Sequence, residues 1–397
     1  MKTLKLFLIL FLFPFFLSAE YKTEITIVES VPEETVYGSS MTLRTLEVWL
    51  EMIKSAQKNI DFEEFYITNE SGEPLEQVVN LIKEKAASGV KMRFIFEKAM
   101  FSSSEKSIET LKGENIEIAI IDFGKKKGGV QHSKFFIVDG REVFIGSQNF
   151  DWRSLSQIHE LGVRIKSEKA AAAFGKIFEI DWALAGKSVT ESIYKNAKLN
   201  FKKLEKAMLN GSEIEYYPAF SPKSLLPEGF KAEIDELISL IKSAKKSIKA
   251  QVMTFAPQPK KWKELTQALI SAAKKGVSIE LILADWSMGG KYDKEIKKLS
   301  KEKNISIKIS SIPPHSRGFI PFSRVQHCKY ILIDDDKAMI STSNWGYDYF
   351  YKSRGAAIIL KGKAAGNIIL DIFSRSWTAP YANPLDVEKE YKRPKRS

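Results

Sequence analysis

The sequence predicts an α/β protein built from two copies of one unit, packed about a pseudo-two-fold axis around a shared site. Two observations support this fold class. Matching segments recur in the same order along the chain, and each copy alternates predicted strands with amphipathic helices. The 397 residues are too many for one ordinary compact domain, and a hydrophobic content of 44% is enough to build a core.

The duplication is visible in three pairs of segments. "MIKSAQKNI" at Met52 matches "LIKSAKKSI" at Leu240, an offset of 188, and "AASGVKMRFIFE" at Ala86 matches "AKKGVSIELILA" at Ala273, an offset of 187. "VQHSKFFIVDGREVFIGSQNF" recurs as "VQHCKYILIDDDKAMISTSNW" with an offset of 195. Ordered matches at a nearly constant offset indicate two fused copies, as in a homodimer joined into one chain.

Local patterns predict the elements of each copy. In the first copy Leu46, Leu50, Ile53 and Ile60 recur near helical spacing, which predicts an amphipathic helix. "IDFEEFYI" and "VKMRFIFE" are typical of strands, and "PLEQVVNLIKEKAASG" predicts a helix that ends at Gly89. Strands and helices that alternate in this way predict a sheet with helices on its faces.

The repeated histidine segment predicts a β-hairpin. "FFIVDGREVFIGS" turns at Asp139-Gly140, and the second copy has three aspartates from Asp334 at that turn. Because Asp side chains commonly bond the local backbone at turns, Asp139 and Asp334 are predicted to be structural. His-x-Lys on a strand places both side chains on one face, and the hairpin folds back an Asn that follows the His by 17 residues.

The N-terminus has the layout of an export signal. Lys2 and Lys5 precede a 12-residue apolar run from Leu6 to Leu17, and Ser18-Ala19 follow. The run is shorter than the ~20 residues that span a bilayer, so we expect a periplasmic or secreted protein, with an N-terminal anchor as the alternative. The predicted divisions are a signal or anchor at 1–19, a first unit at 20–190, a partly helical linker at 191–214, a second unit at 215–385 and a frayed basic tail at 386–397.

The charge and the cysteine count narrow the partners and the chemistry. A formal net charge of +12 favours a polyanionic partner, either nucleic acid or an anionic lipid surface, although a lysine-rich solvated surface is the alternative. The single cysteine, Cys328, excludes an internal disulfide and a cysteine-based zinc site. The sequence makes no prediction of oligomeric state.

Each copy offers an imidazole, an ammonium and a carboxamide, a set that suits phosphodiester chemistry with no metal and no cofactor. A neutral imidazole can attack phosphorus to form a covalent phosphohistidine, and a protonated imidazole can give a proton to the leaving oxygen. The ammonium and carboxamide groups would stabilise charge on the non-bridging oxygens. The two sets are His132, Lys134 and Asn149 in the first copy and His327, Lys329 and Asn344 in the second.

His-x-Lys, four residues, Asp, six residues and Gly-Ser-x-Asn, written twice, resembles the double motif of the phospholipase D superfamily. The first copy matches in full through Gly146 and Ser147, whereas the second has Ser341 and Thr342 there. The resemblance covers about residues 40 to 385, and "GSQNFDWRSLSQIHELGV" and "STSNWGYDYF" are most similar to its phospholipase D three and four branch. That branch implies a five-prime exonuclease on single-stranded nucleic acid, with a phospholipase D or transphosphatidylase on anionic phospholipid as the alternative.

The resemblance also implies residue roles. It favours His132 as the nucleophile and His327 as the general acid, and it implies that an acid near Glu160 orients an imidazole. If the halves face each other, Glu160 reaches His327 and raises its pKa, whereas the second copy has Gly355 in the corresponding place. A solvated Glu at the start of a strand is the alternative, and His159 is expected to be bystander polar surface.

Candidate substrate-binding residues flank the motifs. Lys125, Lys126 and Lys127 precede the first motif and would track phosphates from the rim, unless they form a solvated loop. Aromatic residues after each Asn would be stacking walls for a base, or core packing; they are Phe150, Trp152, Trp345 and Tyr347, with Trp286 and Phe322 as weaker candidates. A non-catalytic polyanion-binding protein is a third interpretation, and the intact histidines and lysines argue against it.

Overall fold

A computed structural model describes residues 23–188, 204–258 and 260–397. The predicted signal at 1–19 and residues 191–203 of the predicted linker lie outside the described residues. Within the described ranges no helix combines the length and the apolar character needed to cross a bilayer.

The first unit alternates strands and helices from its amino end to a long closing helix. Its helices are α1 (Thr45–Ser55), α2 (Leu75–Ala87), α3 (Phe101–Leu111), α4 (Phe123–Lys127), α5 (Trp152–Ser156) and α6 (Glu168–Leu184). Its strands are β1 (Glu24–Ser30), β2 (Leu43–Arg44), β3 (Asn59–Glu64), β4 (Ile67–Thr68), β5 (Lys91–Glu97), β6 (Ile116–Ile121), β7 (Phe135–Val138), β8 (Glu142–Gly146), β9 (Phe150–Asp151) and β10 (Glu160–Lys166).

The second unit repeats this succession. Its helices are α7 (Glu233–Ser243), α8 (Glu264–Lys274), α9 (Asp293–Ser300), α10 (Tyr347–Tyr351) and α11 (Lys363–Thr378). Its strands are β11 (Glu205–Leu209), β12 (Ser212–Ser221), β13 (Ser247–Val252), β14 (Phe255–Ala256), β15 (Ser278–Ala284), β16 (Ile305–Ser310), β17 (Lys329–Ile333), β18 (Lys337–Ser341), β19 (Trp345–Gly346), β20 (Gly355–Lys361) and β21 (Ala382–Pro384).

The two units share one strand order. In the first, β6, β5 and β3 are parallel neighbours, and β7, β8, β10 and β1 follow as antiparallel strands. In the second, β16, β15, β13, β17, β18, β20 and β12 are arranged and oriented in the same way. This repetition confirms the predicted α/β class with two duplicated units.

Strand β11 joins the two sheets. It pairs antiparallel with β12 and, through Glu24 and Met208, parallel with β1. The described end of the predicted linker at 191–214 therefore belongs to β11 and the start of β12. One apolar core continues across the units, where the ring of Phe174 on α6 packs edge-on against Phe220 on β12 at 5.0 Å.

The first predicted helix is shorter than its apolar pattern suggested. Helix α1 ends at Ser55, and Ile60, which was counted on its face, is a buried residue of strand β3. The buried face of α1 is instead formed by Val48, Trp49, Met52 and Ile53. The segment between Ser55 and Asn59 must therefore reverse the chain, and Asp139 binds the backbone of this segment.

Asp139 stabilises the loop before β3. Asp139 and Gly140 have φ of +50° and +64°, as a two-residue turn with both central residues left-handed requires. The Asp139 carboxylate accepts hydrogen bonds from the backbone N–H groups of Gln57, Lys58 and Asn59 at 2.9, 2.8 and 3.0 Å. The structural role was predicted, but the backbone bonds go to the α1–β3 loop, and the contact within the turn is the ion pair with Arg141 at 3.2 Å.

Asp334 repeats this contact in the second unit. Its carboxylate accepts from the backbone N–H groups of Lys245, Lys246 and Ser247 at 2.9, 2.7 and 3.0 Å. Both motif aspartates thus tie a helix–strand loop to the hairpin, and neither lines the cavity described below.

We predict that Asp139→Asn and Asp334→Asn each lower the free energy of unfolding by about 1 kcal/mol, because the amide keeps one acceptor oxygen but loses the charge. Urea unfolding measures the loss, and turnover should stay near wild type. Asp335→Asn is the matched control, since Asp335 lies in the same turn as Asp334 at φ +55° and its carboxylate accepts from the Lys249 ammonium and not from a loop backbone within the described residues. A stable Asp139→Asn protein without turnover would show that the carboxylate acts in the site.

Candidate active site

A cavity of about 480 Å³ opens where the parallel strands of both units end. Phe65 and Tyr66 follow β3, Met253 follows β13 and Trp286 follows β15, and all four line it. The crevice outside the carboxyl ends of the strands is where open α/β sheets bind ligands. A second cavity, of about 580 Å³, lies at the amino ends of β3, β5 and β6 and contains neither motif histidine.

Both repeated motifs meet in the first cavity. His132 and Asn149 flank the β7–β8 hairpin, His327 and Asn344 flank the β17–β18 hairpin, and all four line the cavity. The Oδ1 atoms of Asn149 and Asn344 are buried and make no hydrogen bond within the described protein, and the Asn344 side chain also contacts the Tyr349 hydroxyl. The cavity therefore brings together the imidazoles and carboxamides that the sequence predicted.

The two motif lysines lie directly behind their histidines. Lys134 Nζ donates to the carbonyl oxygen of His132 at 2.6 Å, and Lys329 Nζ donates to that of His327 at 2.7 Å. Both lysines are buried. Each copy therefore holds its ammonium in the same place relative to its imidazole, where the chain leads into β7 or β17.

Each histidine is held by the backbone of the other unit. His132 N donates to Arg354 O at 2.9 Å, and Arg354 N donates to Val130 O at 2.9 Å. The matching bonds in the second copy run from His327 N to His159 O at 2.8 Å and from His159 N to the carbonyl of residue 325 at 3.1 Å. The separation of the two imidazoles is therefore set by the contact between the units.

The sequence suggested that His159 is a surface residue without a role in the site. The structure shows that it is fully buried between the units. Its Nε2 lies 2.9 Å from Glu29 Oε1, and its ring stacks on Tyr37 with centroids 4.1 Å apart. In the second copy the corresponding Arg354 binds both carboxylate oxygens of Asp181, at 2.6 and 2.8 Å. Both bridging residues are thus fixed by buried partners, which only the tertiary structure supplies.

Of the two motif histidines, His327 has a carboxylate partner and His132 has none within the described residues. Glu160 Oε1 lies 2.5 Å from His327 Nδ1, which is the predicted contact across the units. His132 Nδ1 is buried and makes no hydrogen bond within the described residues. His132 instead lies between aromatic rings, 4.8 Å from Phe65 and 4.9 Å from Tyr349 by ring centroid. The two imidazoles therefore occupy different chemical environments.

Glu233 occupies the space that a second orienting acid would need. A Cβ on Gly355 would lie 2.8 Å from Glu233 Oε2 and 2.3 Å from Ser343 Oγ. The buried Glu233 carboxyl accepts hydrogen bonds from Ser341 and Ser343, and burial raises its pKa to about 7. The motif gave no signal for Glu233. This residue begins helix α7, more than a hundred residues before Gly355, next to which it lies in the fold.

Burial dominates the electrostatics of the site. It lowers the pKa of both His132 and His327, and the nearby Lys134 and Lys329 charges push in the same direction. The predicted rise in the pKa of His327 is therefore not seen, because burial and the two lysine charges outweigh the effect of Glu160 at Nδ1. Burial also lowers the pKa of Lys134, and it lowers that of Lys329 to about 7. A phosphodiester anion in the cavity would oppose these shifts and favour the protonated forms.

The hydroxyl groups of the motifs are structural. Ser147 Oγ accepts from Leu161 N, and Thr342 Oγ1 accepts from Ala356 N, both at 3.1 Å. These bonds tie each hairpin to the strand that follows it. The exchange of Ser147 for Thr342 between the copies therefore preserves the contact.

The aromatic wall of the cavity differs from the one that the sequence predicted. Phe150 and Trp345 are buried core residues, Phe150 beside Trp49 and Trp345 against Phe255, and neither lines the cavity. Local sequence could not separate a strand-end core aromatic from a rim aromatic. The aromatic residues that do line the cavity are Phe65, Tyr66, Trp286, Phe322 and Tyr349, of which only Trp286 and Phe322 were candidates.

The lysine run occupies the solvated position that was the alternative to a role at the cavity rim. Lys125, Lys126 and Lys127 are exposed on α4 and do not line the cavity. The cation that does line it is Arg153, which holds the Asp151 carboxylate through its guanidinium and lies 5.9 Å from the Phe322 ring. Arg153 follows the first motif closely, but no feature of its spacing marked it.

Comparison with known proteins gives a consistent result. A sequence profile of the family described as "Cardiolipin synthase, PLD-like domain" matches residues 49–182 and 237–377. The chain is 28% identical to the 5'-3' exonuclease PLD3 of Bos taurus, over 92% of this chain and 81% of that protein. It is 27% identical to the probable phospholipase D F09G2.8 of Caenorhabditis elegans, over 90% and 70%. A phosphatidylserine synthase structure from Haemophilus influenzae has the same fold, with a TM-score of 0.61, 12% identity, and 86% and 85% of the two chains covered.

Proposed function

The chain belongs to the phospholipase D superfamily, and from this membership and the paired site we propose that it cleaves single-stranded nucleic acid without a metal ion, as a five-prime exonuclease. One observation supports the chemistry above all: two histidine and asparagine pairs line one cavity, a buried lysine lies behind each of these histidines, and a carboxylate contacts only one of the two. Such a site contains a nucleophile, a proton donor and positive charge from side chains alone.

The reaction proceeds in two displacements. The His132 ring nitrogen attacks phosphorus while the bond to the leaving oxygen breaks, and His327 gives that oxygen its proton. The product is a phosphohistidine on His132 and a neutral His327. His327 then takes a proton from water as the water oxygen attacks phosphorus, which releases His132 and the phosphate product. Lys134 and Lys329 hold the non-bridging oxygens in both steps.

Glu160 decides which histidine donates the proton. Its carboxylate, 2.5 Å from Nδ1, fixes the ring of His327 and stabilises the imidazolium once an anionic substrate is bound. His132 has no such partner, and its lowered pKa keeps it neutral, as a nucleophile must be. The family's favoured assignment of His132 as the nucleophile therefore agrees with the contacts of each ring.

The rim of the cavity supports a nucleic-acid substrate. Phe65, Tyr66, Trp286, Phe322 and Tyr349 offer aromatic faces, and bases of any sequence can stack on such faces. The net charge of +12 favours the same polyanion. The bovine relative that is 28% identical is named an exonuclease.

A phospholipid substrate is the second candidate. Met100, Ile158, Met253 and Val325 add an apolar side to the cavity that an acyl chain could occupy. The nematode relative is named a probable phospholipase D. The catalytic set serves either substrate, so the choice depends on the rim and has to be measured.

We predict that, in excess EDTA, the protein releases nucleotides from the five-prime end of a single-stranded DNA of about 20 nucleotides, and that kcat/KM falls steeply with added salt. A panel of anionic phospholipids, assayed under the same conditions, should turn over more slowly. Activity that is lost on chelation and restored by one divalent ion would contradict the mechanism. Faster hydrolysis of a phospholipid would contradict the nucleic-acid assignment and leave the mechanism intact.

We predict that Glu160→Gln lowers kcat on DNA by roughly 10²-fold, because the loss of the carboxylate lowers the pKa of His327 and removes the proton donor. The alkaline limb of the kcat/KM profile should move to lower pH. Much of the rate should return on an aryl phosphodiester, whose leaving group needs no proton.

Glu233→Gln is the matched control for Glu160→Gln. Glu233 is an equally buried acid at the corresponding place in the other unit, but its bonds go to Ser341 and Ser343 and not to a histidine. Glu233→Gln should leave unchanged the alkaline limb of the kcat/KM profile and the ratio of the rates on DNA and on the aryl phosphodiester. Equal shifts in the two variants would show that Glu160 acts through packing alone.

A further inference from the structure

The sequence predicted a frayed C-terminal tail. In the structure the tail packs beside the active-site cavity. Lys297 Nζ donates to the carbonyl of Lys389 at 2.6 Å, and Tyr391 packs against the core. The backbone at Arg393 lies so close to Gly289, at φ +78°, that a Cβ there would be 2.3 Å from Arg393 N. The tail therefore has a defined place next to the segment that follows β15.

The end of the tail contacts two aromatic residues of the cavity wall. Arg396 Cζ lies 4.5 Å from the Trp286 ring, and Arg396 Nη2 donates to Trp286 O at 2.9 Å. Phe322 N donates to Arg396 O at 2.7 Å. On the other side, Arg153 of the first unit donates to the carbonyl of Pro321 at 3.0 Å. The loop that contains Phe322 is thus held between the tail and the first unit.

This part of the surface combines exposed aromatic rings with uncompensated positive charge. Phe319 and Phe322 are 49% and 48% exposed, and Lys395 Nζ lies 4.6 Å from the Phe319 ring. Arg393 binds the carbonyl of Gly289 at 3.1 Å. Within the described residues, no cation of the tail from Lys392 to Arg396 forms an ion pair with a carboxylate. Rings next to free cations are what single-stranded nucleic acid binds.

We propose that the C-terminal segment is part of the substrate-binding surface, where Arg393 and Lys395 bind the backbone phosphates of nucleotides beyond the scissile bond while Phe319 and Phe322 stack their bases. The inference rests on the proposed function and extends it from the reacting phosphate to the strand. It also assigns a role to charge that lies outside the motifs. Through Arg396 the tail contacts Trp286 and Phe322 of the cavity wall, whereas the lysine run on α4 contributes no residue to the cavity lining.

The test removes two charges from the tail and two from elsewhere. Arg393→Gln/Lys395→Gln leaves Arg396 on Trp286, and Lys125→Gln/Lys127→Gln removes the same charge from exposed residues outside the cavity lining. Each pair is made in the wild type and in an inactive His132→Ala background. Anisotropy of a labelled oligonucleotide of about 20 nucleotides measures binding, and turnover of a small aryl phosphodiester checks the fold and the reacting site.

The tail variant should weaken oligonucleotide binding roughly 10-fold and make the slope of log Kd against log salt shallower by about 1.4, as the loss of two phosphate contacts to a single strand predicts. KM for the aryl diester should not change, and the α4 variant should bind as the wild type does. Equal weakening in both variants, unchanged binding in the tail variant, or a matching loss on the aryl diester would overturn the proposal. Binding to anionic phosphatidylglycerol vesicles is measured in parallel. If the tail variant lost affinity for these vesicles and not for the oligonucleotide, the tail would be a membrane contact and the proposal would be overturned.

These outcomes are separate from those of the proposed function. A wild-type protein that hydrolyses phospholipid and leaves the oligonucleotide intact would refute the nuclease assignment in the turnover assay. Binding in the His132→Ala background still decides whether the tail holds phosphates, because it requires no cleavage.

Discussion

The exchange of backbone hydrogen bonds between the two units is the constraint on which the site depends. Arg354 accepts from His132, and His159 accepts from His327, each across the interface. A site divided between two units requires such a fixed contact, because a misplacement of about 1 Å can cost two orders of magnitude in rate. The buried partners of Arg354 and His159 serve this contact, so catalysis and the docking of the units are stabilised by the same bonds.

Duplication would give two equivalent histidines, and the chemistry needs two different ones. The units differ where the difference matters: Glu160 contacts His327, whereas Gly355 in the matching strand leaves room for Glu233, which binds serines instead. Both acids are buried, but their hydrogen-bond partners differ. A carboxylate at one motif histidine and none at the other is the difference that separates a proton donor from a nucleophile.

The sequence predicted the features that depend on local spacing and missed those that depend on the packing of distant segments. Strand periodicity placed His132 beside Lys134, and the matched halves implied that Glu160 reaches His327. The neighbouring residues in sequence did not show that His159 is buried and not exposed, because it is the other unit that covers it. They also did not show that Phe150 is a core residue and not part of the cavity wall. The prediction of a frayed tail was wrong for the same reason, since the basic, polar end is held by contacts with distant segments, among them Trp286 and Phe322.

The most direct test of the account is to identify the covalent intermediate. The wild-type and His327→Ala proteins are mixed with an aryl phosphodiester, quenched in alkali to preserve phosphohistidine, digested and mapped by mass spectrometry. The account predicts phosphate on the peptide that contains His132, transient in the wild type and accumulated in His327→Ala, which lacks the base for the second step. Phosphate on His327 in the wild type, or no covalent adduct on either histidine, would contradict it.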